Sequence, residues 1–316
     1  MLLASLTTTD LLVLWNRVPS VLQILICGTA TLVALFALYL LLRLAFPKVM
    51  AIARTTAKEG WAHPLFWVEL AVGALLLVLF IVLPYNTFGE DVKMLKDSGL
   101  KLITLFSIGL SVWAASVTIA DELEGRTALT LLSKPIGRRQ FVVGKFLGVL
   151  APALTMFVVL GTLFLMTVSY KPVYDSRETS NQVPIEPERR AEVLQVTPGL
   201  VLAFFETAVL ASIAIAISTR WPMLPNLMSC FAIYVLGHLA PLLVQSSIGK
   251  LPLVTFVGRL LATLLPALDY FSSDAAIAAD RAIPLAYLGA AGLYSLIYIT
   301  IAMLAALLMF EDRDLA

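Results

Sequence analysis

Charged residues are scarce in this chain. Asp, Glu, Lys and Arg make up 14% of its 316 residues, whereas soluble domains carry about 25%. Hydrophobic residues make up 60%. A soluble globular domain is therefore excluded, and the composition predicts an integral membrane protein. The net charge is only +1, so the overall charge does not favour an acidic partner such as nucleic acid.

Cysteine and histidine are almost absent, with two residues of each. Cys27 and Cys230 lie inside apolar runs, so the sequence offers neither a disulfide framework nor a CxxC pair. His63 and His238 are far apart, and a lone histidine does not make a metal site. The sequence also lacks Gly-x-Ser-x-Gly and His-Glu-x-x-His motifs. We expect no catalytic, cofactor-binding or metal-binding residues on this chain.

A phosphate-binding loop is missing as well. Gly137 through Gly144-Lys145 resembles one superficially, but six residues separate the glycines where the motif has four. Phe146 also stands where the motif has the Ser or Thr that binds magnesium. If this protein uses ATP, another polypeptide must bind it.

The sequence has long apolar runs instead. A helix needs about 20 residues to cross a hydrocarbon core of roughly 30 Å, and seven runs reach that length. They are continuously apolar, whereas barrel strands would alternate, so we predict an all-α integral membrane fold. The runs are Val21–Phe46, Leu65–Leu83, Leu100–Ala120, Phe141–Val168, Leu200–Ser218, Met223–Val244 and Pro284–Phe310.

Lysine and arginine are concentrated in or beside two of the segments that connect the apolar runs. This distribution sets the predicted orientation of the chain in the membrane. These cations are Arg43, Lys48, Arg54, Lys58, Arg126, Lys134, Arg138, Arg139 and Lys145. Both connections are therefore predicted to be cytoplasmic. Alternation then gives a multi-pass protein of the plasma (inner) membrane, with its N-terminus outside and its C-terminus in the cytoplasm.

The first basic connection has the composition of an interfacial helix. Apolar residues recur at helical spacing over 48–62, whereas Arg54, Lys58 and Glu59 are charged and Trp61 closes the segment. Such a helix lies in the headgroup plane, with tryptophan as an anchor and cations near anionic lipid. An ordinary polar connector is the alternative.

The second basic connection contains the stretch DELEGRTALTLLSKP over 121–135. Acidic residues at its start suit the positive N-terminus of a helix, and Pro135 ends the helix. A short amphipathic helix at the cytoplasmic surface is predicted. The residues alone favour equally a solvated loop and a docking element for a cytoplasmic partner.

This stretch resembles the permease subunits of type-2 ABC exporters, particularly those without a fused ATPase domain. Further similarity lies in the segment 48–62, in LLPALDYF and in MFEDRDL near the C-terminus. The chain departs from the family pattern by an inserted Arg126 and by Gly137 where serine is common. The residues that carry the central resemblance are Glu122, Glu124, Gly125, Thr127, Leu131, Leu132, Ser133, Pro135, Arg138, Gly144 and Lys145.

The resemblance implies a six-helix exporter core with an interfacial elbow helix, to which this chain adds one N-terminal transmembrane helix. Residues 1–46 would be the extension and 47–316 the transmembrane domain. Within that domain it implies an elbow helix over 48–62, a coupling helix over 121–134 and an external loop over 170–199. ATP and magnesium would be bound by a separate ATPase subunit, to which the coupling helix docks. A second permease protomer, identical or different, would complete the transporter.

Ionisable residues inside apolar runs are costly and therefore candidates for function. Glu206 and His238 are candidates for the transport pathway, although a hydrogen bond between helices for Glu206 and packing beside a kink for His238 are alternatives. Glu69 is expected to pair with Arg54 or Lys58.

Two outside segments are expected to contain further structure. Residues 170–199 are expected to form a loop with a short helix near Glu188–Val196, and 251–268 a re-entrant or interfacial helix.

Two other functions remain open. One is an ion-coupled secondary transporter using Glu206, which predicts an inverted repeat that the sequence does not display. The other is a scaffold that docks a partner without transport. The apolar core favours lipids, hydrophobic drugs or peptides over highly charged substrates.

Overall fold

The computed structural model describes residues 18–83, 90–124, 137–178, 184–245, 256 and 265–311, with the backbone alone for 119–124, 240–245 and 311. Within these residues the fold is all-α, with no strand. The α-helices are α1 (Ser20–Ala45), α2 (Pro47–Ala62), α3 (Pro64–Val82), α4 (Asp91–Glu124), α5 (Arg138–Glu178), α6 (Glu186–Ser218), α7 (Met223–Gln245), α8 (Asp274–Ala278) and α9 (Leu285–Glu311). A 3₁₀ turn, Leu268–Phe271, precedes α8.

Each of the seven predicted apolar runs coincides with a helix. Among the described residues, α1, α3, α4, α5, α6 and α9 contain stretches long and apolar enough to cross a membrane. In α7 the side chains are described as far as Leu239, and Met223–Leu239 is apolar. The predicted all-α membrane fold is confirmed.

Several helices extend well beyond the predicted spans. α4 begins at Asp91, α5 continues to Glu178 and α6 begins at Glu186. The external loop predicted over 170–199 is therefore largely helical, and the predicted short helix at Glu188–Val196 is the start of α6. The apolar pattern stops at the membrane boundary, but the helices continue because their polar side chains find partners on neighbouring helices.

These polar contacts lie at the end of the bundle where α4 and α6 begin, here called the opposite end. Lys96 of α4, buried at 1% exposure, forms an ion pair with Glu192 of α6. Lys101 pairs with Asp97 at 2.8 Å and with Asp274 of α8 at 3.2 Å. These polar contacts hold α4 against α6 and α8. Apolar side chains outside the membrane would not hold the helices together in this way.

The core of the bundle is formed by α4, α5 and α6, with α9 packed on α6 and α3 on α5. α1 is peripheral, since only 6% of its membrane-spanning residues are buried, against 67% in α6. α1 approaches α5 at Gly28. A Cβ atom built on this glycine would lie 2.5 Å from the hydroxyl oxygen of Thr162. α1 thus lies at the outside of the helical core.

The helix α2, predicted to be interfacial, packs tightly against α5. A Cβ at Gly144 would lie 2.8 Å from the Ile52 Cβ, and one at Gly148 would lie 2.5 Å from the Thr56 Cβ and 2.9 Å from the Ala53 carbonyl oxygen. No larger residue fits at either position without displacing α2. Two glycines of a membrane-spanning helix therefore fix the position of the interfacial helix.

We predict that Gly148→Ala lowers the midpoint of thermal unfolding of the detergent-purified protein, because overpacking costs about 1–3 kcal/mol. Gly289→Ala in α9 is the matched control, since no atom lies within 4 Å of a Cβ built there. Alanine favours a helix over glycine by about 1 kcal/mol, so the control should leave the midpoint unchanged or raise it. Equal midpoints for the two variants would contradict the close packing of α2 on α5.

Candidate functional site

The end of the bundle that holds α2, here called the elbow end, brings together the termini of several helices. The ring of His63, between α2 and α3, lies 4.0 Å from the ring of Trp113 in α4, measured between centroids. Phe141 at the start of α5 stacks on Phe310 at the end of α9, with 5.6 Å between centroids. The start of α5 is thus packed against both α2 and α9.

The segment resembling the coupling helix connects α4 and α5 at this elbow end. Glu122 and Glu124 lie in the last turn of α4, where the backbone alone is described. Arg138 is the first residue of α5 and is exposed. The remaining predicted coupling residues, Gly125, Thr127, Leu131, Leu132 and Pro135, lie outside the described residues, so the predicted helix over 121–134 remains a prediction beyond Glu124.

The predicted elbow residues all lie on the exposed side of α2: Arg54, Lys58, Glu59 and Trp61. The opposite side of the helix is buried against α5 and includes Ile52, Ala53 and Thr56. Trp61 accepts a hydrogen bond at its carbonyl from the Trp67 indole, at 2.9 Å. One buried face and one charged, exposed face are what an interfacial helix requires.

A buried polar contact that the sequence did not predict secures α4 and α7 at the elbow end. Asn226 of α7 has no exposed surface. Its amide donates to the Ser116 hydroxyl of α4 at 2.9 Å and to the Ala214 carbonyl of α6 at 3.0 Å. One side chain therefore joins three helices. The sequence signal that could have indicated this contact was an asparagine within an apolar run, since a buried amide needs hydrogen-bond partners.

Lys145 is buried, although it lies beside one of the two basic connections. Its side chain is only 2% exposed. Its ammonium donates to the Thr118 carbonyl of α4 at 3.3 Å and lies 5.8 Å from the centre of the Phe141 ring. Lysine here links the start of α5 to the end of α4, because a buried ammonium group requires acceptors.

Glu206, which is buried, and His238, which is half-buried, meet between α6 and α7. Glu206 of α6 is 5% exposed, and its Oε1 lies 3.5 Å from Nε2 of His238 in α7. No described residue forms a hydrogen bond to that Oε1. The sequence identified each residue as a candidate but did not predict that they meet, because periodicity does not show which helix faces which.

The hydrogen-bonding pattern of His238 defines what this pair can do. Its Nδ1 lies 3.1 Å from the Tyr234 carbonyl oxygen. A carbonyl oxygen can only accept, so Nδ1 carries a hydrogen in this contact, and Nε2 faces the carboxyl group of Glu206. A single proton between Nε2 and Oε1 would then be shared by the two side chains. The two side chains thus present a carboxyl oxygen and a ring nitrogen to any polar group placed between α6 and α7.

Glu69 does not make the predicted ion pair. Its Oε2 is buried without a hydrogen-bond partner among the described residues, and its Oε1 faces Gly109 of α4. Arg54 and Lys58 point away from it, on the exposed face of α2. The prediction that Glu69 pairs with one of these cations was wrong, because α2 turns its charged face outward.

The comparison with known families identifies the class of protein. The sequence profile of the ABC-2 family transporter proteins matches residues 48–315. The match covers most of the chain, so the chain belongs to the ABC-2 transporter family, whose members are membrane components of ABC transporters. It begins just after α1, in agreement with the peripheral position of that helix. A search of curated proteins finds no match to the chain.

We predict that the contribution of the Glu206–His238 pair to stability is strongly non-additive. Glu206→Gln and His238→Gln should each lower the thermal unfolding midpoint of the purified protein. The double variant should lower the midpoint by less than the sum of the two single effects, since the effects of neighbouring residues are coupled by about 0.5–3 kcal/mol. Ser229→Ala supplies the control cycle with Glu206→Gln, because Ser229 is a half-buried residue of α7 whose hydroxyl donates to the Pro225 carbonyl of its own helix. Additive effects in both cycles would rule out the contact.

Proposed function

We propose that this chain is the membrane-spanning permease subunit of an ATP-driven ABC exporter. The observation that carries the proposal is membership of the ABC-2 family over 48–315. The sequence contains no G-x-x-x-x-G-K-[ST] loop, so ATP and magnesium belong to a separate ATPase subunit. This chain supplies the membrane passage and the surface on which that subunit docks.

The connection between α4 and α5 is the proposed docking surface. The helix over 121–134 and the residues just after it contact the ATPase. The residues with roles in this contact are Glu122, Glu124, Gly125, Thr127, Leu131, Leu132, Pro135 and Arg138. Asn226 bonds α7 to α4 and α6, and Lys145 bonds α5 to α4. These bonds support a mechanism in which displacement of the docked segment moves four helices together. The ATP-bound ATPase then favours one arrangement through its different contacts with this segment.

The elbow end faces the cytoplasm in this proposal, in accordance with the positive-inside rule. Its described cations include Arg43, Lys48, Arg54, Lys58, Arg138 and Arg139, whereas the opposite end carries many carboxylates among its bases. The N-terminus is then outside and the C-terminus cytoplasmic, in the plasma (inner) membrane. A second protomer, identical or different, completes the transporter. Glu206 and His238 contribute to the transport pathway.

The Glu206–His238 pair also favours a second candidate, an ion-coupled secondary transporter. A buried carboxyl group that can share a proton with a histidine is the feature such a protein needs. This alternative predicts that the purified chain alone moves protons across proteoliposomes, and that Glu206→Gln abolishes the movement. The exporter proposal predicts no proton movement by the chain alone.

Docking can be tested by purifying the tagged chain from its native host in mild detergent and quantifying any attached protein with a Walker motif. We predict that Glu122→Arg lowers the amount of this ATPase at least about tenfold, since reversing a charge within an interface costs about 2 kcal/mol or more. Deletion of 122–133 should remove it entirely. Membrane insertion and yield of the Glu122→Arg variant should remain at the wild-type level.

Glu178→Arg is the matched control, because Glu178 is an exposed acid at the opposite end, where the ATPase does not dock. It should retain the full amount of ATPase. Wild-type copurification with Glu122→Arg, or failure of any Walker-motif protein to copurify with the wild type, would contradict the proposed docking.

A further inference from the structure

An open groove lies between α1 and α2, at the point where the chain leaves the membrane at the elbow end. Its volume is about 820 Å³, within the range of about 300–1,000 Å³ typical of ligand sites. The chain turns sharply at Phe46, between the end of α1 and Pro47 at the start of α2. The residues that line the groove are Tyr39, Leu40, Arg43, Leu44, Pro47, Met50, Ala51, Arg54, Thr55 and Lys58.

Three cations from the two helices line the groove. Arg43 lies in the last turn of α1, and Arg54 and Lys58 lie one turn apart on the exposed face of α2. None of the three forms an ion pair or hydrogen bond with a described residue, and no acid is among the residues lining the groove. Concentrating three like charges is unfavourable unless an anion lies between them.

The other wall of the groove is apolar. Leu40 and Leu44 belong to α1, and Leu44 is 81% exposed. This wall continues into the outer surface of α1, which is hardly buried along its span. The groove therefore combines a cationic floor at the membrane surface with an apolar wall in the acyl-chain region.

We propose that this groove binds one anionic phospholipid, with the phosphate group between Arg43, Arg54 and Lys58 and an acyl chain against Leu40 and Leu44. Guanidinium groups hold phosphate oxygens by paired hydrogen bonds, and a lysine adds a point charge. Basic pockets between membrane helices are suited to such headgroups. The site involves α1, which lies outside the matched family region, so it does not depend on the proposed transport activity.

The bound lipid would join α1 to the helical core at the elbow end. At the opposite end α1 is held by protein contacts, since Ser20 bonds Glu186 and the Val18 carbonyl accepts from Arg190 at 2.6 Å. α2 is fixed on α5 by Gly144 and Gly148. A lipid bridging Arg43 to Arg54 and Lys58 therefore links the added helix to the element that is packed on α5.

Native mass spectrometry of the full-length detergent-purified chain, titrated with dioleoyl phosphatidylglycerol or dioleoyl phosphatidylcholine, tests the proposal. We expect one phosphatidylglycerol to bind at least about tenfold more tightly than phosphatidylcholine. Each of Arg43→Gln, Arg54→Gln and Lys58→Gln should weaken binding of phosphatidylglycerol about fivefold, and the triple variant should lose the preference. All three side chains are exposed, so these changes leave the packing intact.

Two control variants and a competitor test whether binding depends on this groove. Arg139→Gln removes an exposed cation from the same end of the bundle, outside the groove, and should retain the preference. Leu40→Ser combined with Leu44→Ser should weaken binding of both lipids, whereas excess inorganic phosphate should not displace the lipid. Equal binding of the two lipids by the wild type, or displacement of the lipid by phosphate, would overturn the proposal. So would a preference for phosphatidylglycerol that survives in the triple variant, or one that is lost equally in Arg139→Gln. Lipid binding that is unaffected in the double serine variant would also overturn it.

Discussion

The close contact between α2 and α5 is the constraint on which the elbow end depends. Gly144 and Gly148 leave no room for a Cβ, so α2 lies directly on the backbone of a membrane-spanning helix. This fixed position turns Arg54 and Lys58 outward and places His63 against Trp113 of α4. The charged face of the interfacial helix, its contact with α4 and the groove beside α1 all follow from one helix-to-helix contact.

Buried polar groups define a second level of organisation inside the apolar bundle. Asn226 and Lys145 have acceptors on neighbouring helices and so fix how those helices lie against one another. The Oε1 atom of Glu206 and the Oε2 atom of Glu69 lack hydrogen-bond partners among the described residues. Such groups are costly in an apolar environment unless they are neutral or find a ligand. The bundle thus contains polar contacts that hold helices in place and, separately, buried carboxyl oxygens without a hydrogen-bond partner among the described residues.

The sequence could predict the elements but not their contacts. Run length and hydropathy located the seven apolar helices of the described residues. The alternation of charged and apolar residues indicated a helix at 48–62, where the structure has α2 (Pro47–Ala62). The helix extensions at 91–99 and 170–178 were missed, and within 186–199 only the short helix at Glu188–Val196 was predicted. Polar residues outside a membrane are compatible with either a helix or a loop. Contacts between helices decide whether such a segment is a helix or a loop. The ion pair of Lys96 with Glu192 cannot be predicted from sequence periodicity, since the two residues lie on different helices. The same reason hid the meeting of Glu206 with His238.

The added helix α1 illustrates how a peripheral element can be joined to a family architecture without enlarging the protein core. Its buried contacts are few, with Gly28 near Thr162 along the span and Ser20 near Glu186 at the opposite end. An apolar helix in lipid gains little from burying further apolar surface, because the acyl chains are equally apolar. Directional contacts are then needed to hold it, and at the elbow end the cations of the groove can provide them through an anion. A phospholipid meets both requirements at once, because it carries the anion on a molecule that also covers the apolar wall.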